Sequence, residues 1–82
     1  MPGGKMKENS TYVIGGSRGR EGFDVTRFGL NGQRCRRNFA DNRGLETFLG
    51  QEFLKYRMTI IPAKGLSGKN RRYVERLVER YG

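Results

Sequence analysis

Histidine and tryptophan are missing from this chain, and cysteine and proline are scarce, with one and two copies. Without histidine, the chain lacks the commonest general base and the commonest metal ligand. The eight Asp and Glu residues are scattered, and the best-spaced pair, Glu75 and Glu79, lies on an arginine-rich predicted helix where side-chain ion pairing explains it. We therefore predict a protein that is not an enzyme and that uses no metal or cofactor.

Cys35 is the single cysteine, so the chain cannot form an internal disulfide. One unpaired thiol is typical of a reducing interior, and we expect the protein to be cytoplasmic. No apolar run approaches the roughly 18 residues of a membrane-spanning helix, and no signal-peptide core is found near the N-terminus. We therefore expect no membrane association.

Positive charge is abundant, with 17 Lys and Arg against 8 Asp and Glu, and the formal net charge is +9. Twelve of the 17 are arginine, whose planar fork suits phosphate and the edge of guanine. A polyanionic partner is the leading inference, and nucleic acid fits better than a membrane. The plain alternative is a basic protein that stays soluble by charge repulsion.

The segment from Phe23 to Phe39 predicts a β-hairpin closed by a two-residue type I′ turn at Asn31-Gly32. That turn places Leu30 opposite Gln33, and alternation then gives the hairpin two unlike faces. The apolar face carries Leu30, Phe28, Cys35 and Phe39, so we expect it to form part of the core, with Cys35 buried there. The second face carries Arg27, Arg34, Arg36 and Asn38. Like charges directly across strands cost stability unless an anion meets them, so this face predicts a ligand site, against the alternative of an ordinary solvated sheet face.

The other segments complete a small α+β domain. They are a strand at Ser10–Ile14, a helix capped by Asp41 and ending near Arg57, a short strand at Met58–Ile61, and a helix capped by Ser67 and ending near Tyr81. We predict a three-stranded antiparallel sheet with the hairpin at its centre, backed by a helix, plus a short strand and a C-terminal helix. Residues 1–9 are predicted to form a disordered basic arm, and residues 10–82 a single nucleic-acid-binding domain.

A glycine-rich loop joins the first two strands. It runs from Gly15 to Gly22 and carries Arg18 and Arg20 beside exposed backbone amides, an arrangement that can hold phosphate. A merely flexible connection is the alternative.

The C-terminal helix carries a second basic group, in which Lys69, Arg72, Arg76 and Arg80 share one face. Ion pairs of Arg72 with Glu75 and of Arg76 with Glu79 would neutralise part of it. The predicted nucleic-acid-binding residues are therefore Arg18, Arg20, Arg27, Arg34, Arg36, Asn38, Lys69, Arg72 and Arg76.

One pattern of residues resembles a known family. It consists of Val25, Arg27, Asn31-Gly32, Arg34, Arg36 and Phe39, followed by a helix that opens near Asp41. Over about residues 10–56 this pattern is similar to the arm-binding N-terminal domain of phage and transposon integrases, which is related to a plant DNA-binding fold. The resemblance implies a three-stranded sheet in the DNA major groove, with Arg27, Arg34 and Arg36 facing DNA and Phe39 in the core. Residues 58–81 have no counterpart in that family.

A weaker likeness of layout links this chain to translation-initiation factors that bind the small ribosomal subunit. It covers Tyr12–Ile14, the loop Arg18-Gly19-Arg20, the strand Phe23–Leu30 and the helix at Arg71–Gly82.

Together these patterns predict non-enzymatic nucleic-acid binding. Duplex DNA is favoured because an antiparallel ribbon can enter its major groove, whereas the A-form major groove is too narrow for side chains to read. Two alternatives stay open. One is structured-RNA or ribosome binding, and the other is a small phage-type inhibitor or assembly module that binds an acidic protein surface.

Overall fold

The computed structural model describes residues 8–17, 22–29 and 32–81. The elements in chain order are β1 (Glu8–Gly16), β2 (Phe23–Phe28), β3 (Arg34–Phe39), α1 (Asn42–Lys55), β4 (Tyr56–Pro62) and α2 (Gly68–Tyr81). The predicted α+β class and the predicted order of elements are confirmed. The first strand begins at Glu8, earlier than predicted. Residues 1–7 of the predicted arm, and Arg18 and Arg20 of the glycine-rich loop, lie outside the described residues.

The four strands form one mixed sheet in the order β3-β2-β1-β4. β2 is antiparallel to both β1 and β3, which confirms the predicted three-stranded antiparallel part. β4 is parallel to β1, with Ser10 opposite Met58 and Tyr12 opposite Ile60. The short predicted strand is therefore the fourth strand of the sheet. Because β3 and β4 are the two edges, α1 crosses the whole sheet to join them.

Both helices pack against the same face of the sheet, and the core lies between these two layers. Every second residue of the central strands is buried there, because successive side chains of a strand point to opposite faces. The buried core consists of Tyr12, Ile14, Phe23, Val25, Leu45, Leu49, Met58, Ile60, Val74 and Leu77. No described helix covers the opposite side, which we call the open face.

The hairpin register differs by one residue from the prediction. Gly29 donates its backbone N–H to the oxygen of Gln33 at 2.9 Å, and Gly32 donates to the oxygen of Gly29 at 3.1 Å. Gly29 is therefore the residue paired with Gln33, which leaves a three-residue loop, whereas the prediction paired Leu30 with Gln33 across a two-residue turn. Gly32 has a φ of 74°, the left-handed conformation that closes a three-residue hairpin loop. The predicted two-residue turn is wrong.

This shift reverses the two faces of β2, since a slip of one residue moves every side chain to the other side of the sheet. Phe28 lies opposite Arg34 and is 38% exposed on the open face, so its predicted place in the core is wrong. Val25 is in the core, and Arg27 shares its face. Cys35 is on the predicted side of β3 but is exposed, so its predicted burial is also wrong. Leu30 lies outside the described residues.

The two predicted helix caps are confirmed. Asp41 accepts a hydrogen bond from the N–H of Gly44 at 2.8 Å, and Ser67 accepts one from the N–H of Asn70 at 3.2 Å. α1 ends at Lys55, before the predicted Arg57, because the chain turns directly into β4. Among the described residues, no helix has the length and apolar character that crossing a membrane requires.

Candidate nucleic-acid interface

β3 is an edge strand whose residues 34–38 are all exposed. Alternation along the strand places Arg34, Arg36 and Asn38 together on the open face, as predicted, and Cys35 and Arg37 on the side of the helices. The guanidinium of Arg37 lies 5.5 Å from the ring centroid of Phe48, so this arginine covers the end of the core. β3 thus presents two arginines and an amide on a surface that no described element covers.

The residues beside these arginines on the open face are mostly uncharged. Arg34 lies opposite Phe28, and Arg36 lies opposite Thr26. The next strand brings Thr11 beside Phe28 and Val13 beside Thr26. Neutral neighbours of this kind add no carboxylate that would repel an anion.

One carboxylate does lie on this face, at the end where β1 and β2 meet. Asp24 accepts a hydrogen bond from Nη2 of Arg36 at 3.1 Å and another from the amide nitrogen of Asn38. The same amide nitrogen donates to Oγ of Ser17 at 2.7 Å. The hydrogen bond from Asn38, with those from Arg36 and Ser17, lowers the pKa of Asp24 below its usual value. Asp24 therefore stays charged and fixes the side chains of Arg36 and Asn38.

Arg27 lies on the opposite face from Arg34 and Arg36, so its predicted position among them is wrong. Its Nη1 lies 3.1 Å from Oε1 of Glu52, and its guanidinium lies 5.0 Å from the ring centroid of Tyr56. Glu52 is only 8% exposed and also accepts a hydrogen bond from the hydroxyl of Tyr12 at 3.1 Å. Burial, followed by the charge of Glu52, raises the pKa of Tyr12. Arg27 is therefore part of the interior that joins sheet and α1.

Three of the four basic residues predicted to share a face of α2 lie together in one cleft. Lys69, Arg72 and Arg76 line it, with Tyr73 beside them, and its volume is about 470 Å³. We call these three residues the basic ridge.

The predicted neutralising pairs of the basic ridge do not form. Within the described part of the chain, the ion pairs are Arg27–Glu52, Arg36–Asp24 and Arg80–Glu46. Neither Glu75 nor Glu79 takes part in them, so the ridge keeps its positive charge.

Contacts with α1 hold the basic ridge in place. Arg80 pairs with Glu46 at 3.0 Å, and the hydroxyl of Tyr73 donates to the same carboxylate at 2.7 Å. Burial and this hydrogen bond raise the pKa of Tyr73. The ring of Tyr73 also packs on Phe23 of β2, with centroids 5.4 Å apart.

A chain of clefts links the open face to the basic ridge. The first cleft, of about 520 Å³, lies at one end of the sheet and is lined by Arg36, Lys64 and Ser17 among others. Asn70 lines this cleft and also the cleft of the basic ridge. Basic side chains therefore continue from β3 around the end of the sheet to α2. Sequence reasoning missed Lys64, because its loop is brought beside β1 only through the parallel pairing of β4.

Within residues 8–17, 22–29 and 32–81, no group of three or more Cys, Asp or Glu side chains is placed to hold a metal ion. Comparison of the chain with protein-family models, with curated proteins and with solved structures found no match. The likeness to integrase arm-binding domains and the likeness to initiation factors therefore stay predictions, and the interpretation of this surface depends on its own geometry.

Proposed function

We propose that this protein binds nucleic acid without catalysis, through the open-face residues of β3, and that duplex DNA is its preferred ligand. The observation that carries the proposal is the exposure of Arg34, Arg36 and Asn38 side by side on an edge strand. Two paired strands are about 4.8 Å apart, so the β2–β3 ribbon has the dimensions to enter a major groove about 12 Å wide. Arginine forks there can contact both phosphates and base edges.

The basic ridge supplies a second set of phosphate contacts in this proposal. Lys69, Arg72 and Arg76 are exposed and lie at the end of the sheet that Arg36 and Lys64 also occupy. A net charge of +9 adds long-range attraction toward a polyanion. We further propose that the protein acts in a reducing, cytoplasmic compartment, where Cys35 stays a thiol.

Structured RNA is the second candidate, and the basic ridge is the observation that favours it. A ridge and cleft can follow phosphates along an A-form helix without reading its narrow major groove. In that case α2 is the principal binding element and β3 contributes less. An acidic protein surface is the remaining alternative partner, and the response of binding to salt and to competitor DNA distinguishes it from nucleic acid.

Fluorescence anisotropy with matched duplex DNA, duplex RNA and single strands, at about 50 and about 200 mM salt, tests the proposal. If the protein neutralises roughly 4 to 6 phosphates, log K should fall against log salt with a slope of about −4 to −5. We expect duplex DNA to bind most tightly. Tighter binding of duplex RNA would favour the second candidate, and no binding of any nucleic acid at about 50 mM salt would refute the proposal.

A further inference from the structure

The network around Asp24 gives the two arginines of β3 different surroundings. Arg36 is held by the carboxylate of Asp24 at 3.1 Å, yet 74% of its side chain remains exposed. Arg34 lies opposite Phe28, and no carboxylate of the described residues pairs with it. One arginine is therefore oriented before any ligand binds, and the other is free to move.

We propose that Arg36 reads a guanine base and that Asp24 is the positioning residue that makes this reading specific. The inference rests on the proposed binding of duplex DNA by β3. Arg34 then serves as a phosphate contact that carries no sequence information.

The chemistry of guanine recognition supports this division of roles. Guanine presents O6 and N7 as two acceptors in the major groove, and an arginine fork meets both only when its plane is correctly oriented. Asp24 accepts one hydrogen bond from Nη2 of Arg36, and 74% of the Arg36 side chain remains exposed, so its other N–H groups can meet a ligand. A side chain fixed in this way loses less conformational entropy when it binds.

The position of Asp24 also indicates that it contributes to sequence preference and not to the general affinity for DNA. A carboxylate beside a DNA-binding surface repels phosphates, so it lowers the affinity for every duplex. Asn38 and Ser17 both donate hydrogen bonds to this carboxylate, and they hold it in its charged form and in one place. Asp24 opposes general binding and still orients an arginine, so its role is best explained as an increase in specificity. Repulsive groups in other interfaces discriminate between partners in the same way.

The test begins with selection of preferred sites from a randomised duplex library by the full chain. Anisotropy then compares the selected duplex with variants in which each G·C pair is changed to A·T. A correctly oriented bidentate contact predicts one position where the change weakens binding about 5- to 150-fold. Asp24→Ala should bring that ratio down toward 1 while leaving binding to an unselected duplex equal or stronger, because a repelling charge is gone. If circular dichroism shows that the alanine variant is unfolded, Asp24→Asn is used in its place.

Three further variants separate the possible roles. Arg36→Lys keeps the charge but loses the fork, so it should lose the guanine preference as Asp24→Ala does. Arg34→Ala should weaken binding to all duplexes alike and keep the ratio. Glu75→Ala removes a carboxylate from α2, away from the network, and should strengthen general binding without a change in preference.

The outcomes distinguish this inference from the proposed function. A wild-type protein that binds duplexes tightly but without any guanine preference would overturn the inference and leave the proposed function standing. A guanine preference unaffected by Asp24→Ala and Asp24→Asn would overturn the role of Asp24. Failure of the wild-type chain to bind any duplex would overturn the proposed function itself.

Discussion

Replacing Arg27 with alanine should damage the fold and not the binding surface. The change removes the cation that pairs with Glu52, a carboxylate only 8% exposed, and leaves this carboxylate with the hydrogen bond that the hydroxyl of Tyr12 donates to it. Removing one partner of a fully buried ion pair costs about 3 to 5 kcal/mol. Because 27% of the Arg27 side chain is exposed and water can partly replace it, we expect a loss of about 2 to 3 kcal/mol.

That loss is large for this protein. A chain of 82 residues has a free energy of unfolding on the order of 4 to 12 kcal/mol, and each kcal/mol shifts the Tm of a domain this size by about 4 to 8 °C. Arg27→Ala should therefore lower the Tm by about 10 to 20 °C, measured by circular dichroism. Arg34→Ala is the matched control, since it removes the same side chain from an exposed position and should change stability by less than about 0.5 kcal/mol.

A double variant sharpens the test. Replacing Arg27 with Met and Glu52 with Leu together removes both charges, so no carboxylate is left buried without its cation, and the Tm should recover relative to Arg27→Ala. If Arg27→Ala instead keeps its Tm within about 2 °C and weakens nucleic-acid binding as Arg34→Ala does, the assigned faces of β2 are reversed.

Three other expectations follow from single positions. Cys35 is exposed, so a thiol reagent should label the native protein within a few-fold of the unfolded rate, and slow labelling would show that this end of β3 is covered. Gly22 has a φ of 118°, and a Cβ at this position would collide with the carbonyl oxygen of Phe39. Gly22→Ala should therefore lower the free energy of unfolding, measured in urea, by at least about 2 kcal/mol. Gly65 has a φ of 90° but open space around it, so Gly65→Ala should lower it by only about 1 kcal/mol. Burial raises the pKa of Tyr73, so its contribution to stability is complete below the unfolded pKa of 10 and is lost as the pH rises above that value. Tyr73→Phe should therefore make the loss of folding stability at alkaline pH shallower. An unchanged loss of stability would contradict this.

The faces of β3 could be predicted from the sequence, but those of β2 could not. Asn31-Gly32 is compatible with a two-residue turn and with a three-residue loop, and the choice between them shifts the register by one. The residues of β2 do not decide it, because Val25 and Phe28 are both apolar and lie on opposite faces. Arg27 can lie on the core side of the sheet only because a carboxylate of α1 pairs with it. The alternation of apolar and polar residues within β2 contains no information about that partner.

The helices and their caps were predictable because capping residues and apolar periodicity are local signals. Asp41 and Ser67 both act as predicted. The end of α1 could not be predicted, because Tyr56 continues the helical spacing of apolar residues and also begins the alternating pattern of β4. The cleft with Lys64 depends on the parallel pairing of β4 with β1, which is a long-range contact that the sequence does not encode locally.

The central claim is that the open face of β3 binds nucleic acid, and the double variant Arg34→Ala with Arg36→Ala tests it most directly. Its matched control is Arg72→Ala with Arg76→Ala, which removes the same charge from the basic ridge. We expect the β3 variant to bind duplex DNA on the order of 30-fold more weakly at about 100 mM salt, with a salt slope shallower by about 1, since Arg34 is the phosphate contact, and a Tm within about 4 °C of the wild type. The control should lose less affinity. If the control loses far more than the β3 variant, α2 is the binding element and the account of β3 is wrong.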